Sequence, residues 1–113
     1  MMSDLFIDRI AAVRQRFSAQ IDTRIEGIEA IALERGKGDL DALAQAHRDA
    51  HHLCGVGATL GFVQTGKAAR SVEQLLLAAV KSERKLTNDE IPRLLEGIAL
   101  LRSAVGAETG IAR

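Results

Sequence analysis

His51 and His52 open a segment, Ala50 to Phe62, that reads A-H-H-L-C-G-V-G-A-T-L-G-F. An imidazole is a nucleophile, and its ordinary pKa of about 6.5 leaves a large neutral fraction near neutral pH. Gly55, Gly57 and Gly61 follow in a stretch whose apolar spacing is helical. Glycine inside a helix costs about 1 kcal/mol relative to alanine. A chain that bears this cost beside a histidine keeps the surroundings of that histidine small, so that something large can approach.

The helical phase separates the two histidines. Leu43, Ala46, Ala50, Leu53, Gly57 and Leu60 step by threes and fours and share one face. At roughly 100° per residue His51 lies about 130° from the centre of that face. Its neighbours one and two turns away are Ala44, Gly55 and Ala58, none with a side chain beyond Cβ. His47, Arg48 and Cys54 flank it. His52 lies on the other flank among the bulkier Gln45, Val56 and Thr59. His51 is therefore the cleared imidazole.

Competing chemistries are weaker. His47 and His51 are four apart and face the same way, a spacing compatible with a metal, but no third ligand accompanies them and no metal is expected. Cys54 reads as a partly buried small hydrophobe. A Cys–His nucleophile pair would need those side chains to converge, and no oxyanion-hole motif accompanies them. The glycines match neither a G-x-x-x-x-G-K-[ST] loop nor a dinucleotide fingerprint, which leaves close helix packing, clearance for a partner and a helix stop at Gly61. Arg48, Lys67 and Arg70 read as solvated side chains that would steer an acidic partner if they flank His51.

Helices must position this segment. Ser3 or Asp4 can cap a first helix, along which Phe6, Ile10, Val13, Phe17, Ile21, Ile25, Ile28 and Ala32 recur. This is one long helix or two nearly continuous ones, ending at the R-G-K-G-D break around Gly36 to Gly38. Asp39 or Asp41 starts the helix that carries His51. A third helix begins near Phe62 and runs to about Val80 or Ser82. Thr87-Asn88-Asp89-Glu90 reads as a fourth helix start. Pro92 belongs in its first turn, which favours Asn88 or Asp89 over Thr87 as the cap. Ile91, Leu94, Leu95, Ile98, Leu101 and Val105 form the buried stripe, and Gly106 to Arg113 reads as a frayed tail. Short loops between long amphipathic helices imply antiparallel neighbours. The expected fold is all-α: an antiparallel up-down-up-down four-helix bundle, with the first turns of the N-terminal segment a candidate cap for one end.

The 113 residues suffice for a single domain, residues 1–113. Fifteen basic and fifteen acidic residues cancel, and no basic run appears, which argues against nucleic acid. No apolar stretch approaches ~20 residues, so no membrane span is expected. The N-terminus lacks a secretory pattern and the one cysteine cannot form an internal disulfide. A soluble cytoplasmic protein is expected.

The His51 segment resembles the signature of histidine-containing phosphotransfer (HPt) domains, H-x-L-K-G-S-A-x-x-L-G around a phosphorylated histidine. The matching residues are His51, Leu53, Gly55, Leu60 and Gly61, followed by Phe62. The family continues with a small residue, an apolar one, then Glu or Gln, and Ala69, Val72 and Glu73 stand there. The usual Lys is Cys54 and the usual small polar residue is Val56. The resemblance implies a phosphocarrier rather than an enzyme, with His51 as phosphoacceptor in a multistep His–Asp phosphorelay. Glu73 is then either an exposed helix carboxylate or the acceptor for one ring N–H of His51. Arg48, Lys67 or Arg70 would replace the missing Lys as phosphoryl stabiliser. The implied partners are response-regulator receiver domains and a hybrid histidine kinase, docking on Ala44, His47, Cys54, Gly55, Ala58 and Phe62. The chain would be a monomer and need no cofactor of its own, with Mg²⁺ held by the partner receiver. The alternative is a helical interaction module that binds receivers or kinases without phosphotransfer.

Overall fold

The computed structural model describes residues 2–34 and 40–110, without the side chains of residues 2–4, 6 and 14. Four helices occupy them: α1 (Met2–Leu33), α2 (Leu40–Thr59), α3 (Val63–Lys81) and α4 (Glu90–Thr109). No strand occurs among the described residues. Consecutive helices pack against each other and α4 returns to α1, while the backbones of the diagonal pairs stay apart among the described residues. Phe17 meets Phe62 and Arg24 meets Asp49; His51 meets Glu73 and Gly57 meets Gly66; Thr65 meets Glu108 and Val72 meets Gly97, so partner numbers fall as the chain advances and each helix runs opposite to the one before it. The result is an up-down-up-down four-helix bundle.

Its core is aliphatic. Ile21, Ile25 and Ile28 from α1, Leu53 from α2, Leu76 from α3, and Leu94, Ile98 and Leu101 from α4 are fully buried. Each such side chain contributes about 1.5–3 kcal/mol by leaving water. The long registers of these stripes hold the helices in fixed rotation, and that rotation fixes which α2 residues face outward.

The first turns do not fold across the bundle end as a cap. They continue α1, which at ~1.5 Å per residue is about 18 Å longer than α2. The apolar stripe continues with them into solvent: Ile10 and Val13 are exposed, and burial begins at Phe17. The expected caps Ser3 and Asp4 lie inside α1, since the helix already includes Met2. The Gly36 to Gly38 break and Asp39 lie outside the described residues, and Asp41 sits in the first turn of α2.

Helix ends account for the other differences. Gly61 adopts a positive φ of 78°, with Phe62 N–H bonded to Gly57 C=O at 2.8 Å and Gly61 N–H to Ala58 C=O at 3.3 Å. This is a Schellman turn. Leu60 still bonds its N–H to Val56 C=O at 2.9 Å, but it stands at the end of α2, is 43% exposed and is not part of the buried face. The same turn closes α3, with Arg84 N–H bonded to Ala79 C=O and Glu83 N–H to Val80 C=O, but here Glu83 holds the positive φ of 49°. Glu83→Gly should therefore stabilise the fold by about 0.5–1 kcal/mol in a denaturant titration, because glycine carries no Cβ penalty there.

Asp89 flanks the start of α4, as one of the two expected caps, but makes no side-chain cap hydrogen bond; Thr87 supplies that bond instead. Thr87 Oγ1 accepts from Glu90 N–H at 3.2 Å, and Glu90 Oε1 accepts from Thr87 N–H at 2.9 Å, a reciprocal capping box. Pro92 is compatible with this start because the helical acceptor its ring leaves unbonded belongs to exposed Asn88. Arg84 also binds the Glu90 carboxylate through both terminal nitrogens. Hydrogen bonding from Arg84 outweighs burial and holds Glu90 at a pKa of about 2, below its ordinary 4.5. The folded state thus binds fewer protons than the unfolded state between those values. The Glu90 contribution is present above about pH 4.5 and is lost as pH falls towards 2. Glu90→Gln should cost about 1–2 kcal/mol at pH 7, allowing for the exposed guanidinium, and flatten the acid limb of the stability curve.

Gly106 to Thr109, expected in the tail, form the last turn of α4, with Val105 and Thr109 buried and Gly110 as a left-handed cap. Residues 111–113 lie outside the described residues. Glu108 uses this turn to cap α3. Its carboxylate accepts from the backbone amides of Gln64 and Thr65, which have no side-chain cap of their own. Burial opposes ionisation of Glu108, but these amides hold it below the ordinary carboxylate range.

Candidate functional site

The α2–α3 face brings three of the singled-out residues together. His51 Nδ1 lies 2.7 Å from Glu73 Oε1. A carboxylate only accepts, so the proton of this bond sits on Nδ1, and in the neutral ring the lone pair is on Nε2. The His51 side chain is 74% exposed, and no other hydrogen bond to its ring occurs among the described residues. Glu73 is itself only 18% exposed. The arrangement is a fixed tautomer with one nucleophilic nitrogen turned to solvent.

His47 joins this pair. Its ring stacks alongside that of His51, centroids 6.5 Å apart and planes 19° apart, and its Nε2 is 3.8 Å from the same Glu73 oxygen. Among the described residues no group of three His, Cys, Asp or Glu side chains is placed to hold a metal ion.

The glycines divide by role. A Cβ on Gly55 would meet nothing within 4 Å. A Cβ on Gly57 would lie 3.0 Å from Gly66 N, 3.1 Å from Gly66 Cα and 3.3 Å from Phe62 O, all backbone atoms of the α3 entry. Gly57 therefore lets α3 approach α2 closely enough for Glu73 to reach His51, whereas Gly55 leaves open space one turn from the imidazole. Ala58 is exposed and Ala44 half-buried on that side of α2. Phe62 stacks on Phe17 at 5.4 Å and forms, with Ile10, Val13 and Leu60, an apolar groove at the α2–α3 turn.

The cations are less closely gathered. Arg48 is held by Gln45 Oε1 through Nε at 3.3 Å and through its terminal nitrogen at 2.8 Å, and does not contact His51. Lys67 and Arg70 are exposed on α3. Arg70 is one turn from Glu73, whereas Lys67 is six residues away, about 9 Å along the axis. Cys54 is a free, half-buried thiol packed against the core.

One buried group was missed by sequence reasoning. Asp49 is 9% exposed and binds Arg24 of α1 at 2.9 Å and Gln45 at 3.1 Å. Its place beside the apolar stripe signals that it needs a partner, but the α1–α2 register that brings Arg24 to it is not readable from spacing. His52 faces this cluster, and partial burial followed by the Arg24 charge holds it below the ordinary imidazole value. The two adjacent histidines thus differ in kind: His51 is hydrogen-bonded to a carboxylate, and His52 faces the Arg24–Asp49 ion pair.

The family model for the Hpt domain matches residues 12–104, most of the chain. No solved structure gives a significant match.

Proposed function

The chain belongs to the Hpt domain family, and from that premise we propose that it carries a phosphoryl group on His51 between receiver-domain aspartates in a multistep phosphorelay. Histidine phosphotransfer in phosphorelay signalling, and interaction with receiver domains, are what such a domain does. The observation that supports His51 as the phosphoacceptor is the 2.7 Å bond from its Nδ1 to Glu73 on an otherwise exposed ring.

The chemistry follows from the tautomer. The His51 Nε2 lone pair attacks phosphorus in line as the bond from phosphorus to the receiver aspartate oxygen breaks, and that oxygen leaves with the electron pair. Nδ1 keeps its proton throughout, so no base is needed. The ring becomes positively charged on phosphorylation, and the Glu73 carboxylate balances that charge. Return of the group to a second aspartate reverses each step. This chain supplies a positioned nucleophile and an unhindered approach. The receiver supplies Mg²⁺ and the acidic pocket, and the chain acts as carrier rather than catalyst.

Receiver docking is assigned to the low surface of Ala44, Gly55 and Ala58, bounded by His47, Cys54 and Phe62. Arg70 is the best-placed of the three cations to meet a phosphoryl oxygen, since Gln45 restrains Arg48 on α2 and Lys67 lies farther along α3. Such an interface is small and transient, and a monomer is sufficient for it. No helix of the described residues is long and apolar enough to cross a membrane, and the proposed site of action is the cytoplasm.

The test is incubation with purified, radiolabelled phospho-receiver domains and with the phosphorylated receiver of a hybrid kinase. Acid-labile, alkali-stable label on the chain supports the carrier reading. Binding to those receivers without uptake of label would instead establish a helical interaction module, for which Cys54 in place of the usual Lys is the one favouring observation.

A further inference from the structure

His47 is four residues before His51 and presents an unusual nitrogen. Its Nε2 is fully buried and has no hydrogen-bond partner. A buried polar atom left unpaired costs free energy of order 1–3 kcal/mol. The polar atom placed to offset that cost is Glu73 Oε1, 3.8 Å away. The same oxygen accepts from His51 Nδ1. Glu73 is thus a mostly buried carboxylate bracketed by two imidazoles from one face of α2, and the two rings stand nearly parallel, 19° apart.

We propose that His47 is a positioning residue for His51, acting through Glu73: its Nε2–H faces the shared carboxylate oxygen and holds it where His51 Nδ1 must donate. Three consequences follow from the geometry. The buried carboxylate gains a second favourable dipole, which keeps it turned inward to α2 rather than out to solvent. The His51 proton is then confined to Nδ1, and Nε2 stays free to attack. The flat face of the His47 ring also limits rotation of the His51 ring. His47 also borders the docking surface, so the tautomer of His51, which docking does not set, is the readout that isolates its effect through Glu73.

The inference rests on the phosphocarrier reading, but its first test does not. Side-chain ¹⁵N NMR on the full chain reads the tautomer of His51 directly, with or without phosphotransfer. Wild type should show His51 protonated on Nδ1. His47→Phe keeps a flat ring of similar size but has no N–H, and should move His51 towards the Nε2–H form. His47→Gln restores a donor and should restore the wild-type tautomer. Uptake of label from a phosphorylated receiver should fall about tenfold in His47→Phe and recover most of that loss in His47→Gln. In a Glu73→Ala background His47→Phe should have no further effect on either readout, because the carboxylate through which it acts is gone.

A His47→Phe variant that folds and keeps the wild-type His51 tautomer overturns the proposal. Equal losses in the Phe and Gln variants also overturn it, since a restored donor would then have rescued nothing, and a loss in the Gln variant alone would trace the effect to ring packing. An independent effect of His47→Phe in the Glu73→Ala background does the same. If wild type takes up no label, the carrier reading fails, and the tautomer comparison still decides the role of His47.

Discussion

His51→Gln should abolish uptake of acid-labile label from every receiver that phosphorylates wild type, while leaving the bundle folded and receiver binding within about twofold. The substitution separates the two properties of the histidine. Glutamine is of similar length, and its amide N–H can still donate to Glu73. What it lacks is a nucleophilic nitrogen, because the amide lone pair is delocalised into the carbonyl. The His51 side chain is 74% exposed and contributes little to the core, so the melting temperature should move by the equivalent of about 0.5 kcal/mol or less. His52→Gln is the matched control. That ring is one position away but faces the Arg24–Asp49 pair rather than Glu73, and its loss should leave uptake intact. Label that persists on His51→Gln, or that disappears with His52→Gln, would move the nucleophile off His51.

The bundle was legible because its signal is periodic and redundant. Ile21, Ile25 and Ile28, or Leu94, Ile98 and Leu101, repeat at helical spacing for several turns, so an error at one position does not shift the phase. Helix ends lack that redundancy. Leu60 follows the stripe in sequence but stands where α2 ends in the Schellman turn, and it is exposed there. Thr87 was displaced as the cap by Pro92, although the reciprocal bonds to Glu90 outweigh one unbonded acceptor. The α1 overhang was hidden for the opposite reason. Its stripe runs on through Ile10 and Val13 although the bundle does not, and periodicity alone does not say where a partner helix ends.

Within the candidate site, spacing could show that His51 and His47 share an outward flank of α2 and that small residues surround His51. It could not show that Glu73 reaches the ring or that one oxygen serves both histidines. Those distances depend on the α2–α3 register, which is set by backbone contact at Gly57 and Gly66. The exposed cations illustrate the same limit. Arg48 is close to His51 along the helix, yet its guanidinium turns to Gln45, a choice made by side-chain geometry rather than by spacing.

Gly55 and Gly57, two residues apart, should respond in opposite ways to the same substitution. Gly57→Ala puts a methyl group against the Gly66 amide and Cα at 3.0 and 3.1 Å, and backbone cannot rotate aside as a side chain can. Overpacking of this kind costs about 1–3 kcal/mol, more than the ~1 kcal/mol that alanine returns in helix propensity. Because α3 must move outward, Glu73 should also lose its grip on His51, so transfer should slow along with the loss of stability. Gly55→Ala meets open space and should stabilise the chain by about 0.5–1 kcal/mol. Gly55→Gln should likewise stay folded with the His51–Glu73 bond intact, yet lower transfer from a receiver by about 100-fold or more, since its side chain occupies the space the receiver must enter. Small phosphodonors make the argument sharper. If the defect is steric, Gly55→Gln should accept label from a low-molecular-weight phosphoramidate at the wild-type rate and fail only with the receiver, whereas Gly57→Ala should be impaired with both. Wild-type transfer from a receiver to Gly55→Gln would mean that the partner approaches His51 from another side.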